Sequence, residues 1–119
     1  FPKWEGNLML FDSMEETPES MRGLLWTTPF KEDTVRVVSF VLDAGSREKG
    51  WGSRAWNTLI RTLEVTQYTT IQLEVRATNT RAIEFYRNRG LEVIQELNGY
   101  YNTGLGYMMR GPLQTFNPQ

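Results

Sequence analysis

Apolar and polar residues change period several times along the chain, and each change marks an element. The run Thr34 to Asp43 (TVRVVSFVLD) is the clearest strand. Val35, Val37, Ser39 and Val41 alternate with Arg36, Val38, Phe40 and Leu42, and both sets are largely apolar, which predicts a central strand buried on both faces. A Gly-rich turn from Ala44 to Ser53 follows, and then Ala55, Trp56, Leu59, Ile60 and Leu63 recur at helical spacing. Ile71 to Val75 reads as a strand with Ile71, Leu73 and Val75 on one face. Thr78 or Asn79 can cap a second helix, in which Ala82, Ile83, Tyr86 and Arg89 share a face and which Gly90 stops. Leu91 to Leu97 is a strand, Asn98-Gly99 is a turn signal, and the run around Tyr107 to Met109 is a last strand.

Ahead of Thr34, Asn7 to Phe11 and Met21 to Thr28 are strand candidates able to form a hairpin. Between them Asp12 to Ser20, acidic and holding Pro18, reads as a loop, and Pro29 to Asp33 as a turn. The order is β-β-β-α-β-α-β-β, which predicts an α/β domain built on one mixed sheet. The expectation is a single domain over residues 1–119: a hairpin region over 1–33, a core over 34–110 and a loosely held tail over 111–119.

Composition narrows the chemistry. With 13 Lys and Arg against 14 Asp and Glu the net charge is −1, so bulk attraction to nucleic acid or to an anionic membrane is not expected. No apolar run approaches the roughly 20 residues of a membrane span and no signal-peptide pattern opens the chain, which predicts a cytoplasmic protein. Cysteine is absent, which excludes disulfides, thiol nucleophiles and thiolate metal sites. Histidine is absent too, which excludes a Ser-His-Asp triad and imidazole ligation, and no metal is expected. Acid–base chemistry falls to carboxylates, Tyr, Lys or water held by them.

A strand, a Gly-rich turn and a helix together form a phosphate-binding arrangement, because the free N–H groups and the positive dipole end of the helix face the anion. Gly50 and Gly52 would let backbone approach closely, and Arg47 and Lys49 add positive charge. Gly45 and Gly50 have P-loop spacing, but Trp51 stands where the lysine must be, and a dinucleotide GxGxxG fails at Ala55. Taken alone, the turn is equally an ordinary left-handed turn.

The longer run Phe40 to Gly52 (FVLDAGSREKGWG) resembles motif A of the GNAT superfamily of N-acetyltransferases: an apolar strand, an acidic turn, then Gln/Arg-x-x-Gly-x-Gly/Ala. Leu73 to Leu91 (LEVRATNTRAIEFYRNRGL) resembles the same family's strand, Asn, helix, Tyr, Gly and apolar signature. Tyr100-Tyr101 resembles the subgroup that acetylates protein N-termini, such as the ribosomal-protein alanine acetyltransferases. The resemblance covers about residues 34–110.

It implies a GNAT-like fold with a splayed central strand pair and acetyl-CoA as co-substrate. The turn Arg47, Glu48, Lys49, Gly50, Trp51, Gly52 and Ser53 would hold the coenzyme A pyrophosphate. Unpaired backbone at Phe40, Val41 and Leu42 would pair with the pantetheine arm and face the thioester oxygen, with Asn79 and Arg81 also binding the cofactor. Glu74 would be the base that deprotonates the amine, and Tyr86 would contact the cofactor and serve as the acid toward the leaving thiolate. A phenol near pKa 10 against a thiol near 8.5 implies a hydrogen bond that strengthens as the thiolate forms, with transfer late. From periodicity alone, Tyr86 reads first as a core aromatic, a reading that the motif resemblance reverses, and the alternative for Glu74 is a solvated strand residue paired with Arg76 or Arg36.

Two places depart from the family pattern. The family carries a strand and two helices before its second strand, whereas here a hairpin precedes Thr34. The loop after Tyr101 (Asn-Thr-Gly-Leu-Gly) is short and lacks the acidic residues common in the N-terminal acetylating subgroup. Both bear on the acceptor rather than the fold. The resulting expectation is an N-acetyltransferase acting on a primary amine, with a protein or peptide N-terminus ahead of a small amine. The alternative is a coenzyme A-binding interaction module without turnover. The front is either truncated, minimal or supplied by something else, and a homodimer is one assembly that would complete it.

Overall fold

The structure is a computed structural model that describes residues 6–11, 21–42, 50–100 and 104–114. Its elements run β1 (Leu8–Phe11), β2 (Met21–Lys31), β3 (Thr34–Leu42), α1 (Trp51–Leu63), β4 (Thr70–Arg76), α2 (Thr80–Arg87), β5 (Glu92–Tyr100) and β6 (Gly104–Pro112). The predicted order holds throughout. The strands form one six-stranded mixed sheet in the order β1-β2-β3-β4-β6-β5, with β3 and β4 parallel and every other pair antiparallel. The α1 crossover is what permits that parallel pair.

Both helices cover the same face of the sheet. Trp56, Leu59, Ile60 and Leu63 of α1 and Ile83 and Tyr86 of α2 share one buried cluster with Val35, Val37, Ile71, Leu73, Val75, Leu25 and Met109. Fully burying side chains of this size contributes about 1.5–3 kcal/mol each. The opposite face carries exposed Met9, Trp26, Val38 and Val41. There Arg36 pairs with Glu74, and Arg110 donates twice to Gln72 Oε1, from Nε at 3.1 Å and Nη2 at 2.7 Å.

The expectation that β3 is buried on both faces is therefore corrected, and a bulge supplies the reason. Thr27 pairs with Val37 but Trp26 with Ser39, so Val38 is an extra residue on β3. The bulge reverses the alternation: Val35 and Val37 face the helices before it, and Phe40 and Leu42 after it, opposite Leu25 and Gly23. Val38 and Val41 are turned outward, 55% and 52% exposed.

The bulge also coincides with a fork. The β3–β4 ladder runs from Thr34↔Thr70 to Val37↔Leu73 and ends there, although β3 continues to Leu42 and β4 to Arg76. Beyond that point β3 stays paired with β2 as far as Leu42↔Gly23, and β4 with β6 as far as Arg76↔Gly106. The central pair is splayed, as expected.

Three local expectations are also corrected. The turn after β2 is confined to Glu32-Asp33, because β2 continues through Pro29 to Lys31. Pro29 is tolerated because it shares the parity of Thr27, whose N–H points outward to Asn7 Oδ1 (2.9 Å), so the missing donor faces a side with no β1 partner. Asn98-Gly99 lies inside β5, at a register shift between Leu97 and Tyr100, and not at its end. The tail starts later than residue 111, since Gly111 and Pro112 pair with Ile71 and Thr70, and Leu113 N–H donates to Thr69 O at 2.9 Å.

Candidate active site

The fork opens toward the helices into a cleft of about 370 Å³. Phe40, Val41 and Leu42 of β3 form one wall, and Gly52 of α1 lies beside them. Asn79, Arg81, Ala82, Phe85 and Tyr86, from α2 and its cap, form the other. Seven residues assigned from sequence to the cofactor thus meet in one cavity: Phe40, Val41, Leu42, Gly52, Asn79, Arg81 and Tyr86. Gly50, Trp51 and Ser53 stand beside it in the first turn of α1. Arg47, Glu48, Lys49 and Tyr101 lie outside the described residues.

The start of α1 is shaped for close approach. Gly50 occupies the N-cap at φ 79°, a left-handed conformation that favours glycine. The helix begins with Arg54 N–H donating to Gly50 O at 3.1 Å, and among the described residues no side chain caps the preceding N–H groups. Gly52 of this first turn lines the cleft, so the positive end of the helix dipole lies beside it. At Gly52 a Cβ would come within 3.0 Å of the Phe85 ring, so backbone and ring meet directly. Trp51 is held by the Arg54 guanidinium, 5.6 Å from the ring centroid.

Asn79, rather than Thr78, caps α2, its Oδ1 accepting from Ala82 N–H at 3.2 Å. Asn79 also lines the cleft, and its amide NH₂ takes no part in the cap.

Tyr86 is 8% exposed, with its ring against Trp56 (5.8 Å) and Phe85 (5.6 Å). Burial pushes its hydroxyl up to about 12, while the Arg89 guanidinium pulls the other way. The phenol is a proton donor throughout the physiological range.

Glu74 is not among the cleft-lining residues. Leu73 and Val75 point into the core, so Glu74 points to the opposite face, one residue past the end of the β3–β4 ladder. Its Oε1 accepts from Arg36 Nη2 at 2.6 Å. The pairing with Arg36 that the residues alone allowed is present. The ion pair spans the two strands where their backbones part, with side chains 41% and 27% exposed, so it contributes about 0–1 kcal/mol.

Sequence reasoning missed Ala82 and Phe85 as cleft walls, and Arg89. Ala82, Phe85, Tyr86 and Arg89 fall at i, i+3, i+4 and i+7, a signal that could have placed Phe85 with the others. Arg89 is 4% exposed, and burial lowers its guanidinium to about 10, still charged at neutral pH. Among the described residues no group of His, Cys, Asp or Glu could hold a metal ion, and no helix is long and apolar enough to cross a membrane.

A helix N-terminus set against a forked parallel strand pair, beside a buried phenol, defines an α/β protein with a ligand cleft at the fork. The model of the acetyltransferase (GNAT) family matches residues 6–91, and the chain belongs to that family of acetyltransferases. No curated protein matches the chain. Among solved structures it is similar to Ard1 from Thermoplasma volcanium (24% identity, TM-score 0.76), covering 82% of this chain and 66% of that one. It is also similar to the ribosomal-protein-S18-alanine N-acetyltransferase from Escherichia coli (22% identity, TM-score 0.75), covering 98% and 75%. A third is Arabidopsis thaliana Naa50 in complex with the bisubstrate analogue CoA-Ac-MVNAL (21% identity, TM-score 0.67), covering 76% and 64%. The chain spans about two-thirds to three-quarters of the length of these structures.

Proposed function

We propose that the protein transfers the acetyl group of acetyl-CoA to a primary amine, with a peptide N-terminus as the preferred acceptor. The observation that carries this reading is the convergence of the glycine-bearing first turn of α1, the splayed β3 backbone and Tyr86 on one cleft. The first turn would hold the pyrophosphate, and the β3 edge from Phe40 to Leu42 and the Asn79 amide would hold the pantetheine arm. Acetyl-CoA supplies the activated thioester. An N–H of the β3 edge would stabilise the developing oxyanion, and Tyr86 would donate to the departing sulfur.

Glu74 would act from the other side of the fork. Arg36 occupies one carboxylate oxygen and orients the group, leaving Oε2 to accept a proton from the ammonium directly or through water. Donor and acceptor would then enter from opposite faces of the sheet. That separation supports an amine on an extended chain, because among the described residues the sheet face around Glu74 carries no helix. The similarity to the Escherichia coli ribosomal-protein-S18-alanine N-acetyltransferase and to Arabidopsis Naa50, solved with the bisubstrate analogue CoA-Ac-MVNAL, supports the same acceptor class.

The test is thermal unfolding with and without saturating acetyl-CoA, followed by thiol release with peptides and small amines. Ligand at 100 times its Kd should add about 2.7 kcal/mol, a rise of several degrees in Tm. No rise in folded protein refutes the cofactor assignment. Faster turnover of small amines than of any peptide replaces the acceptor assignment alone.

A further inference from the structure

At the β3 bulge two residues, Val38 and Ser39, oppose the single Trp26 of β2. Leu25 and Thr27, on either side of Trp26, are buried, so the indole stands on the face away from the helices, 51% exposed. The bulge turns Val38 onto that same face. Val37↔Leu73 is the last pair of the β3–β4 ladder, so the next residue on each strand, Val38 and Glu74, faces outward on the two lips of the fork. Glu74, Val38 and Trp26 therefore form one row across β4, β3 and β2. A second apolar row lies beside it, with Val41 opposite Leu24 and Leu24 opposite Met9.

The row joins one carboxylate to an apolar surface. Exposed apolar side chains scattered singly are ordinary, but here they are contiguous and border a carboxylate at the fork. A molecule complementary to this row carries a cation at one end and apolar side chains next to it. A chain N-terminus followed by apolar residues has that form. Paired strands lie about 4.7–4.9 Å apart, which puts Trp26 about 10 Å from Glu74 across the row. An extended chain advances about 3.3–3.6 Å per residue, and its side chains alternate between faces. With the amine at Glu74, the side chain of the third residue reaches Trp26, and that of the second points away from the sheet.

We propose that Trp26 and Val38 form an acceptor subsite that selects peptides with an apolar third residue: Glu74 receives the amine and the indole receives the side chain. This rests on the N-terminal acceptor reading above and adds the sequence preference of the acceptor. The bulge is then functional, because it brings an apolar side chain to the lip of the fork beside Glu74. The contact lies away from the reacting atoms and is the same in ground and transition states, so it is felt in KM and not in kcat.

The probes are two lysine-free polar peptides that differ only in leucine or serine at the third position. Binding is measured by calorimetry on CoA-saturated protein, in which no transfer occurs, and turnover by thiol release with acetyl-CoA. The proteins compared are the wild type, Trp26→Ser, Val38→Ser and, as a control on an exposed valine after α1, Val65→Ser. Wild type should bind the leucine peptide about tenfold more tightly than the serine peptide, with the same ratio in KM and equal kcat. Trp26→Ser should bring that ratio below about twofold with serine-peptide affinity unchanged, and Val38→Ser should reduce it about threefold. Val65→Ser should leave it as in wild type. A ratio that persists in Trp26→Ser overturns the proposal, as does an equal loss for both peptides. A wild-type dimer in sedimentation that Trp26→Ser splits gives the row to a second copy and overturns it too. If Trp26→Ser does not fold, Val38→Ser decides by the same ratio. Wild type that neither binds nor acetylates either peptide removes the acceptor reading, and this inference with it. Wild type that acetylates both equally well removes only the inference.

Discussion

Replacing Tyr86 by Phe removes one oxygen from the cleft and leaves the ring against Trp56 and Phe85. With the hydroxyl at about 12 and a departing thiol near 8.5, complete proton transfer is uphill by about 3.5 pH units, roughly 5 kcal/mol. That gap is wider than a solvent-exposed tyrosine would give, because burial disfavours the phenolate. Tyr86 is therefore expected to work as a hydrogen-bond donor to developing negative charge, with the proton following late. Removing one such donor costs about 2.7–4 kcal/mol, or about 10²–10³ in kcat. The assay is thiol release at saturating acceptor, with acetyl-CoA varied. Tyr86→Phe should lower kcat at least about a hundredfold while KM for acetyl-CoA moves less than about threefold, since the ring and the cleft wall persist. The wild-type kcat should show no limb from Tyr86 below about pH 11. An unchanged kcat, or a loss confined to KM, would refute the donor role and leave Tyr86 as a core aromatic.

Further outcomes follow from the same geometry. Glu74→Gln should flatten the acidic limb of the pH–rate profile and shift stability by less than about 1 kcal/mol, because its ion pair is partly solvated; an unchanged limb assigns the base elsewhere. Gly52→Ala presses a Cβ to 3.0 Å from a ring that Arg89 also contacts, so overpacking of about 1–3 kcal/mol should cancel the helix-propensity gain of about 1 kcal/mol. That variant should melt no higher than wild type and bind acetyl-CoA more weakly; unimpaired binding would contradict close backbone approach at this turn. By urea denaturation Val37→Ala should cost about 2 kcal/mol and Val38→Ala less than about 0.5, a contrast that vanishes if β3 is buried on both faces. In alkali, Tyr86 binds its proton more tightly folded than unfolded, so its contribution is complete below pH 10 and is lost as pH rises toward 12, with about 1.3 kcal/mol gone by pH 11. Arg89, lowered to about 10, has the opposite sign over that range, so the quantity to measure is the stability of wild type minus that of Tyr86→Phe, which should fall between pH 9 and 11.

Local periodicity determined much of this protein. The 3.6-residue spacing from Ala55 to Leu63, the alternation from Ile71 to Val75 and a cap at Thr78 or Asn79 each depend on neighbours within one or two turns of chain, and all were legible, the choice of Asn79 being left to the structure. Seven of the cleft residues were legible for a related reason: the two motifs that hold them are contiguous runs, and an α/β crossover brings the ends of such runs together. What depends on pairing across the sheet was not legible. Val38 differs from Val37 only because Trp26 and Thr27 leave it unmatched, and no feature of a valine run announces a bulge. The bulge decides which of Phe40, Val41 and Leu42 face the helices. The end of the ladder at Leu73 puts Glu74 at the fork, on the side away from Tyr86. Arg89 looked like one more residue on an amphipathic face, and only the approach of Ser53, 36 positions earlier, makes it a clamp. Side-chain period is a property of one strand or helix, whereas register and burial of charge belong to contacts between segments distant in the chain. Those contacts exist only once the tertiary structure has formed.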